Sequence, residues 1–98
     1  MNRRELIVTG PSGDPLVAEQ VQALRTDPEG ARERELDVVE REGASFQVEL
    51  TGKDGGLVAR WDNLVGVSEL WAKIDAMPAR RRQLREAAAA GPQSTRLL

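Results

Sequence analysis

The chain of 98 residues contains no cysteine and no histidine. Without cysteine it cannot form disulfides, bind metals through thiolates or perform thiol–disulfide exchange, because that reaction needs a thiolate nucleophile. Without histidine it also lacks the commonest general base and the commonest metal ligand. The composition therefore predicts no metal, no cofactor and no catalytic residue, and it favours a binding module over an enzyme.

Aromatic residues and long apolar runs are also scarce. Phe46, Trp61 and Trp71 are the three aromatic residues, so aliphatic side chains must form most of the core. The apolar run near the N-terminus covers only residues 6–8, which is too short for a signal peptide or a membrane span. We therefore expect a soluble, cytoplasmic protein that does not bind a membrane.

The charges are nearly balanced, with 14 basic and 16 acidic residues and a formal net charge of -2. Because nucleic-acid-binding domains usually carry a basic excess, no DNA partner is expected. The densest positive cluster consists of Arg80, Arg81, Arg82 and Arg85. Two interpretations remain open for this cluster: a solvated helix, or a surface that contacts a protein, an acidic ligand or RNA.

The first half of the chain has the pattern of a strand, a helix and a second strand. The continuous apolar run at residues 6–8 predicts a central strand. Asp14 suits a helix N-cap and Pro15 the first helical position, and the helical spacing of the apolar residues places Gln20 toward water. Residues 27–30 are predicted to end this helix, and residues 36–40 to form an edge strand after a polar linker.

The second half predicts a hairpin followed by two helices. Residues 46–50 and 57–61 read as strands joined by a turn at Asp54-Gly55. Ser68 is predicted to cap the next helix, and Pro78 to start an Arg-rich helix that ends at Gly91. We expect one domain over residues 1–90 and a flexible tail over residues 91–98.

This order, β-α-β-β-β-α with an additional C-terminal helix, is that of a thioredoxin-like α/β fold with a mixed four-stranded sheet. Three stretches, beginning TGPSGDP, LTGKDGG and ELWAKIDAMP, resemble the blocks of the domain of unknown function 4174 family. That family is similar to thioredoxin-like and peroxiredoxin-like proteins, and it has no established activity. The resemblance implies the fold, and the absence of cysteine and histidine implies a redox-inactive member that acts as a binding or interaction module.

The chain departs from the family in two ways. The family helix between strands two and three is missing, and only residues 41–45 join these strands. Two strand orders are therefore open, 2-1-3-4 as in thioredoxin and 1-2-3-4 through a simple hairpin, and we favour the first because it keeps residues 6–8 central. Family members in bacteria often carry an export signal, whereas this chain shows none; a truncated gene or an alternative start would explain both departures.

The turn TGPSGDP stands where a thioredoxin-like fold carries its redox-active cysteines. Its candidate ligand residues are Thr9, Gly10, Ser12, Gly13 and Asp14. Three interpretations are open: a plain turn capped by Asp14, an anion site on exposed N–H groups, and a sulfur-independent enzyme with Ser12 as nucleophile. The spacing of a P-loop is absent, since no lysine follows the glycines.

The predicted partner is an unidentified protein or a small anionic ligand. The missing helix should also leave one sheet face bare near the third strand, with Gln47 and Glu49 facing water and Val39 and Val58 partly uncovered. Exposed apolar patches often mark interfaces, so weak self-association is expected. The two tryptophans are interpreted as packing residues, and the carboxylates of Asp37, Glu40, Glu42 and Glu49 as solvated groups.

Overall fold

The computed structural model describes residues 3–96, with side chains described as far as residue 89. Its elements are β1 (Arg4–Gly10), α1 (Pro15–Arg25), α2 (Pro28–Glu33), β2 (Leu36–Glu42), β3 (Gln47–Thr51), β4 (Leu57–Trp61), α3 (Val67–Asp75) and α4 (Pro78–Arg96). The chain divides into two compact units, Met1–Val67 and Ser68–Leu98. The first unit contains the whole sheet, and the second contains most of α3 and all of α4.

The four strands form one mixed sheet in the order β2-β1-β3-β4, which confirms the favoured order. β1 is parallel to β2 and antiparallel to β3, and β3 is antiparallel to β4. β1 lies in the centre of the sheet, where its apolar residues are shielded from water on both faces. Leu6 and Val8 are fully buried on one face and Ile7 is 8% exposed on the other, and β2 is an edge strand, as expected.

The connection from β2 to β3 crosses the end of β1 in four residues, 43–46. The Gly43 N–H donates a hydrogen bond of 3.0 Å to the Gly10 carbonyl and so extends the parallel ladder. A Cβ at position 43 would collide with the Thr9 Cγ2 methyl. The absence of a side chain at Gly43 is therefore what lets this short crossing pass so close to β1, while Phe46 is buried just before β3.

α1 begins as predicted, but one of its faces differs from the prediction. Asp14 is the N-cap, with its Oδ1 accepting a 2.9 Å hydrogen bond from the Leu16 N–H, and Pro15 opens the helix. The prediction that Gln20 faces water is wrong, because its side chain is fully buried. Gln20 Nε2 donates to the Val65 carbonyl at 3.0 Å, and the Val65 N–H donates to Gln20 Oε1 at 2.9 Å. Both polar atoms of the amide are thus satisfied by backbone groups, which removes the usual cost of burying them.

The second helix, α2, was not predicted, because residues 27–30 were interpreted as the end of α1 and the next five as a linker. Asp27 Oδ1 accepts a 3.0 Å hydrogen bond from the Gly30 N–H, and Pro28 occupies the first helical turn. Asp-Pro is the same start signal that opens α1. The Asp27-Pro28 pair ends α1 and also starts α2, and the prediction contains only the end of α1.

The hairpin between β3 and β4 forms at the predicted turn. Gly55 has a φ of 86°, a conformation that glycine adopts without steric cost, and its N–H donates to the Gly52 carbonyl at 3.0 Å. The Lys53 Nζ lies 2.9 Å from Glu35 Oε1. This ion pair joins the hairpin to the turn that precedes β2, where Glu35 itself has a left-handed φ of 52°.

The second unit is helical. Leu70 and Ile74 of α3 are fully buried; Ser68 lies inside α3 instead of capping it, because the helix already starts at Val67. α4 starts at Pro78 as predicted but continues to Arg96, past the expected end at Gly91. The single domain and the flexible tail remain predictions, and residues 97–98 lie outside the described part of the chain. No helix among residues 3–96 is both long and apolar enough to cross a membrane.

Candidate functional site

A cleft of about 400 Å³ opens at the carboxyl ends of β1 and β2. The turn between β1 and α1 forms one wall, and Glu40, Arg41 and Glu42 at the end of β2 form the other. The parallel register brings the walls together because it pairs Gly10 with Glu42. In open α/β sheets this edge, outside the carboxyl ends of the strands, is where ligands bind.

Gly10, Gly13 and Asp14 determine the backbone conformation of the turn between β1 and α1. Gly13 has a φ of 79°, and the Asp14 N–H donates to the Pro11 carbonyl at 3.0 Å. A Cβ on Gly10 would lie 2.6 Å from Val17 Cγ2. Gly10 therefore allows the first turn of α1 to approach the end of β1, and both Gly10 and Val17 line the cleft.

The start of α1 offers little to an anion. Pro15 has no N–H, the Leu16 N–H is bonded to the Asp14 carboxylate, and the Val17 N–H donates to the Asp14 carbonyl at 3.1 Å. The walls also carry three carboxylates, those of Asp14, Glu40 and Glu42, against the single guanidinium of Arg41. The donors that bind anions at other helix N-termini are thus already used, and the charge of the cleft favours a basic ligand.

The structure brings together four of the five turn residues proposed from the sequence. Gly10, Ser12, Gly13 and Asp14 line the cleft, whereas Thr9 does not, because its methyl group packs against Gly43 instead. Ser12 is exposed, and the chain has no histidine to activate it, so the geometry adds no support to a role as nucleophile.

Sequence reasoning missed the second wall of the cleft. Glu40 and Glu42 are exposed, as expected, but no signal within their own segment places them opposite the turn. The signal that could have found them is the parallel pairing of β1 with β2, since it aligns the ends of the two strands.

The Arg-rich cluster is smaller than the sequence suggested. Both interpretations of the cluster require exposed side chains, and both are wrong for Arg80, because its side chain is 3% exposed. Its Nε donates to Asp75 Oδ1 at 3.0 Å and its Nη1 to Gln83 Oε1 at 3.2 Å, so this residue joins the end of α3 to the first turns of α4. The remaining arginines, Arg81, Arg82 and Arg85, are exposed, and their role as a partner surface stays a prediction.

The sheet face opposite α1 is more polar than an apolar docking patch. The register aligns Val39, Ile7, Glu49 and Arg60 in one row across the four strands. Glu49 lies 3.6 Å from Arg60 and is half-buried by this cross-strand pair. Val58 is 41% exposed, as expected for an uncovered neighbour. The apolar part of this face is thus limited, and self-association stays a prediction.

Among the described residues, no group of three or more acidic side chains is placed to hold a metal ion. The fold and the cleft define an α/β protein with a four-stranded mixed sheet and a candidate ligand site at the carboxyl ends of its parallel strands. Comparison with protein-family models, with curated proteins and with solved structures finds no match to the chain.

Proposed function

We propose that this protein is a redox-inactive binding module with a thioredoxin-like fold, related to the domain of unknown function 4174 family. The strand order and directions support the fold, because a parallel β1–β2 pair beside the antiparallel β3 and β4 is the arrangement expected of a thioredoxin-like core. The turn after β1 stands where that fold carries its redox cysteines. The chain has none, so the position is available for binding and not for electron transfer.

The ligand that the cleft fits is a basic segment of a protein partner. The observation that carries this proposal is the pairing of an acidic wall with a helix start whose amides are already bonded. A lysine or arginine side chain entering the cleft would meet the carboxylates of Glu40, Glu42 and Asp14 without competing for those amides. Guanidinium binds carboxylates through paired hydrogen bonds, so an arginine-containing segment is the favoured form of the ligand.

The test is an NMR titration of the isotope-labelled protein with two short peptides of equal length, one rich in arginine and one rich in glutamate. The arginine peptide should shift the backbone amides of residues 10–14 and 40–42 in a saturable way, and added salt should weaken its binding. Glu42→Gln should weaken it as well, whereas Glu19→Gln, an exposed residue of α1 outside the cleft, should not. Preference for the glutamate peptide, or equal effects of the two substitutions, would refute the proposal.

A further inference from the structure

A second groove, of about 480 Å³, lies between α1, α2 and β2. Its floor is aliphatic, and Val21, Leu24 and Leu36 are buried there. Val38, Pro28 and Ala31 complete the apolar lining, which contains no aromatic side chain. The volume falls within the range of pockets that hold small molecules. The floor suits a flexible alkyl chain better than a flat ring, because there is no aromatic surface on which a ring could stack.

The rim of this groove is positively charged. Three arginines, Arg3, Arg25 and Arg32, line it against one acid, Glu40. The Nε of Arg3 donates to Asp37 at 3.0 Å, and Arg32 pairs with Glu29 within α2. Arg25 is exposed and makes no ion pair with any of the side chains described, those of residues 3–89. Its guanidinium is therefore the rim group that is available to an anionic ligand.

We propose that this groove binds an aliphatic carboxylate of medium chain length. The alkyl chain lies over Leu24 and Leu36, and the carboxylate accepts hydrogen bonds from the Arg25 guanidinium at the rim. Both the alkyl chain and the carboxylate are needed for binding. The aliphatic floor has no group that could bind a charge, and the exposed arginine alone would bind weakly, since ion pairs in water are weak. The groove is distinct from the acidic cleft, and the two share only Glu40.

The experiment is an NMR titration of the full chain with octanoate, octanol and acetate. Octanoate should shift the amides of residues 21–32 and 36–38 in a saturable way. Octanol should bind up to about fivefold more weakly, because it lacks the charge that contacts Arg25. Acetate should bind at least about tenfold more weakly, because it lacks the alkyl chain. Equal binding of octanol would show that the arginine rim contributes nothing and would refute the proposal. Shifts confined to residues 10–14 and 40–42, or no shift at all, would refute it too.

Two substitutions locate the charge contact. Arg25→Gln should weaken octanoate binding by up to about fivefold, as expected for the loss of one ion pair at an exposed rim. Arg85→Gln, which removes an exposed arginine of α4 outside the groove, should leave the affinity unchanged. Circular dichroism would confirm that both variants are folded before titration, which is expected because both side chains lie at the surface. Equal affinities of the two variants would overturn the assignment of Arg25.

Discussion

Replacing Gln20 by methionine should destabilise the first unit strongly, although Gln20 is a polar residue on a surface helix. Its amide makes two hydrogen bonds with the backbone of Val65, one in each direction, at 3.0 and 2.9 Å. Methionine has a similar length and volume, so the change tests the polar contacts and not a cavity. It leaves the N–H and the carbonyl of Val65 buried without a partner, at about 1–3 kcal/mol for each group.

The expected loss is therefore about 2–6 kcal/mol out of a total stability of about 5–15 kcal/mol. With an m-value of about 1.5 kcal/mol/M, a loss of about 3 kcal/mol lowers the urea midpoint by about 2 M. The measurement is urea unfolding followed by circular dichroism. Gln22→Met is the matched control, because Gln22 lies on the same helix and is exposed, and it should change stability by less than about 0.5 kcal/mol. Equal midpoints for the two variants would refute the reasoning.

Gln20→Glu gives the same contact a dependence on pH. Burial, together with a carboxylate oxygen beside the Val65 carbonyl, should raise the pKa of the new side chain above its unfolded value of about 4.3. The protonated acid can replace the amide as a donor. The penalty should therefore be small near about pH 4, grow as pH rises through the raised pKa, and be largest at neutral pH. A difference from the wild type that does not change with pH would contradict this account.

Three further predictions concern single contacts. Asp14→Ala should cost about 1 kcal/mol through loss of the N-cap, measured by urea unfolding, with an unchanged helix content; no change in stability would show that the cap is not important. Gly43→Ala should cost about 1–3 kcal/mol because the new Cβ meets the Thr9 methyl, and adding Thr9→Ser should restore part of the loss, whereas a simple sum of the two effects would argue against the collision. The hydrogen bond from Lys53 lowers the pKa of Glu35 below its usual 4.5. This contact should provide at most about 1 kcal/mol, because both side chains are partly exposed to water. That stability should be present at neutral pH and lost as the pH falls through the lowered pKa. Lys53→Gln should remove this effect, and a difference from the wild type that persists at low pH would contradict it.

The architecture of the sheet could be predicted because it depends on patterns that are local in the sequence. The continuous run at residues 6–8 required a central strand, and the alternation in β3 required one buried face. The helical spacing of apolar residues assigned Gln20 to solvent, and the arginine cluster suggested an exposed Arg80. Each is buried, with polar atoms of Gln20 bonded to the Val65 backbone and of Arg80 to the side chain of Asp75. The spacing of apolar residues along the sequence does not identify these hydrogen-bond partners.

Only one wall of the candidate site, the turn between β1 and α1, could be predicted from the sequence. The turn residues could be predicted because glycine and an N-cap aspartate determine the backbone conformation of the residues next to them. The acidic wall depends on the pairing of Gly10 with Glu42, which is set by the tertiary structure and has no signature in either segment alone. The proposed ligand follows the same rule: an anion site was one of three interpretations of the turn alone, whereas the acidic wall opposite the turn favours the basic ligand that we propose.

The central place of β1 has a consequence for synthesis. Leu6 pairs with Val38 on one side and with Leu50 on the other, so β1 is synthesised before both of its neighbours. Until residue 51 has emerged, the nascent chain must carry the apolar segment of β1 with at least one open edge, and pairings between such distant segments form slowly. During this interval the growing chain is exposed to aggregation. A chaperone that covers residues 6–8 would protect the chain during this interval.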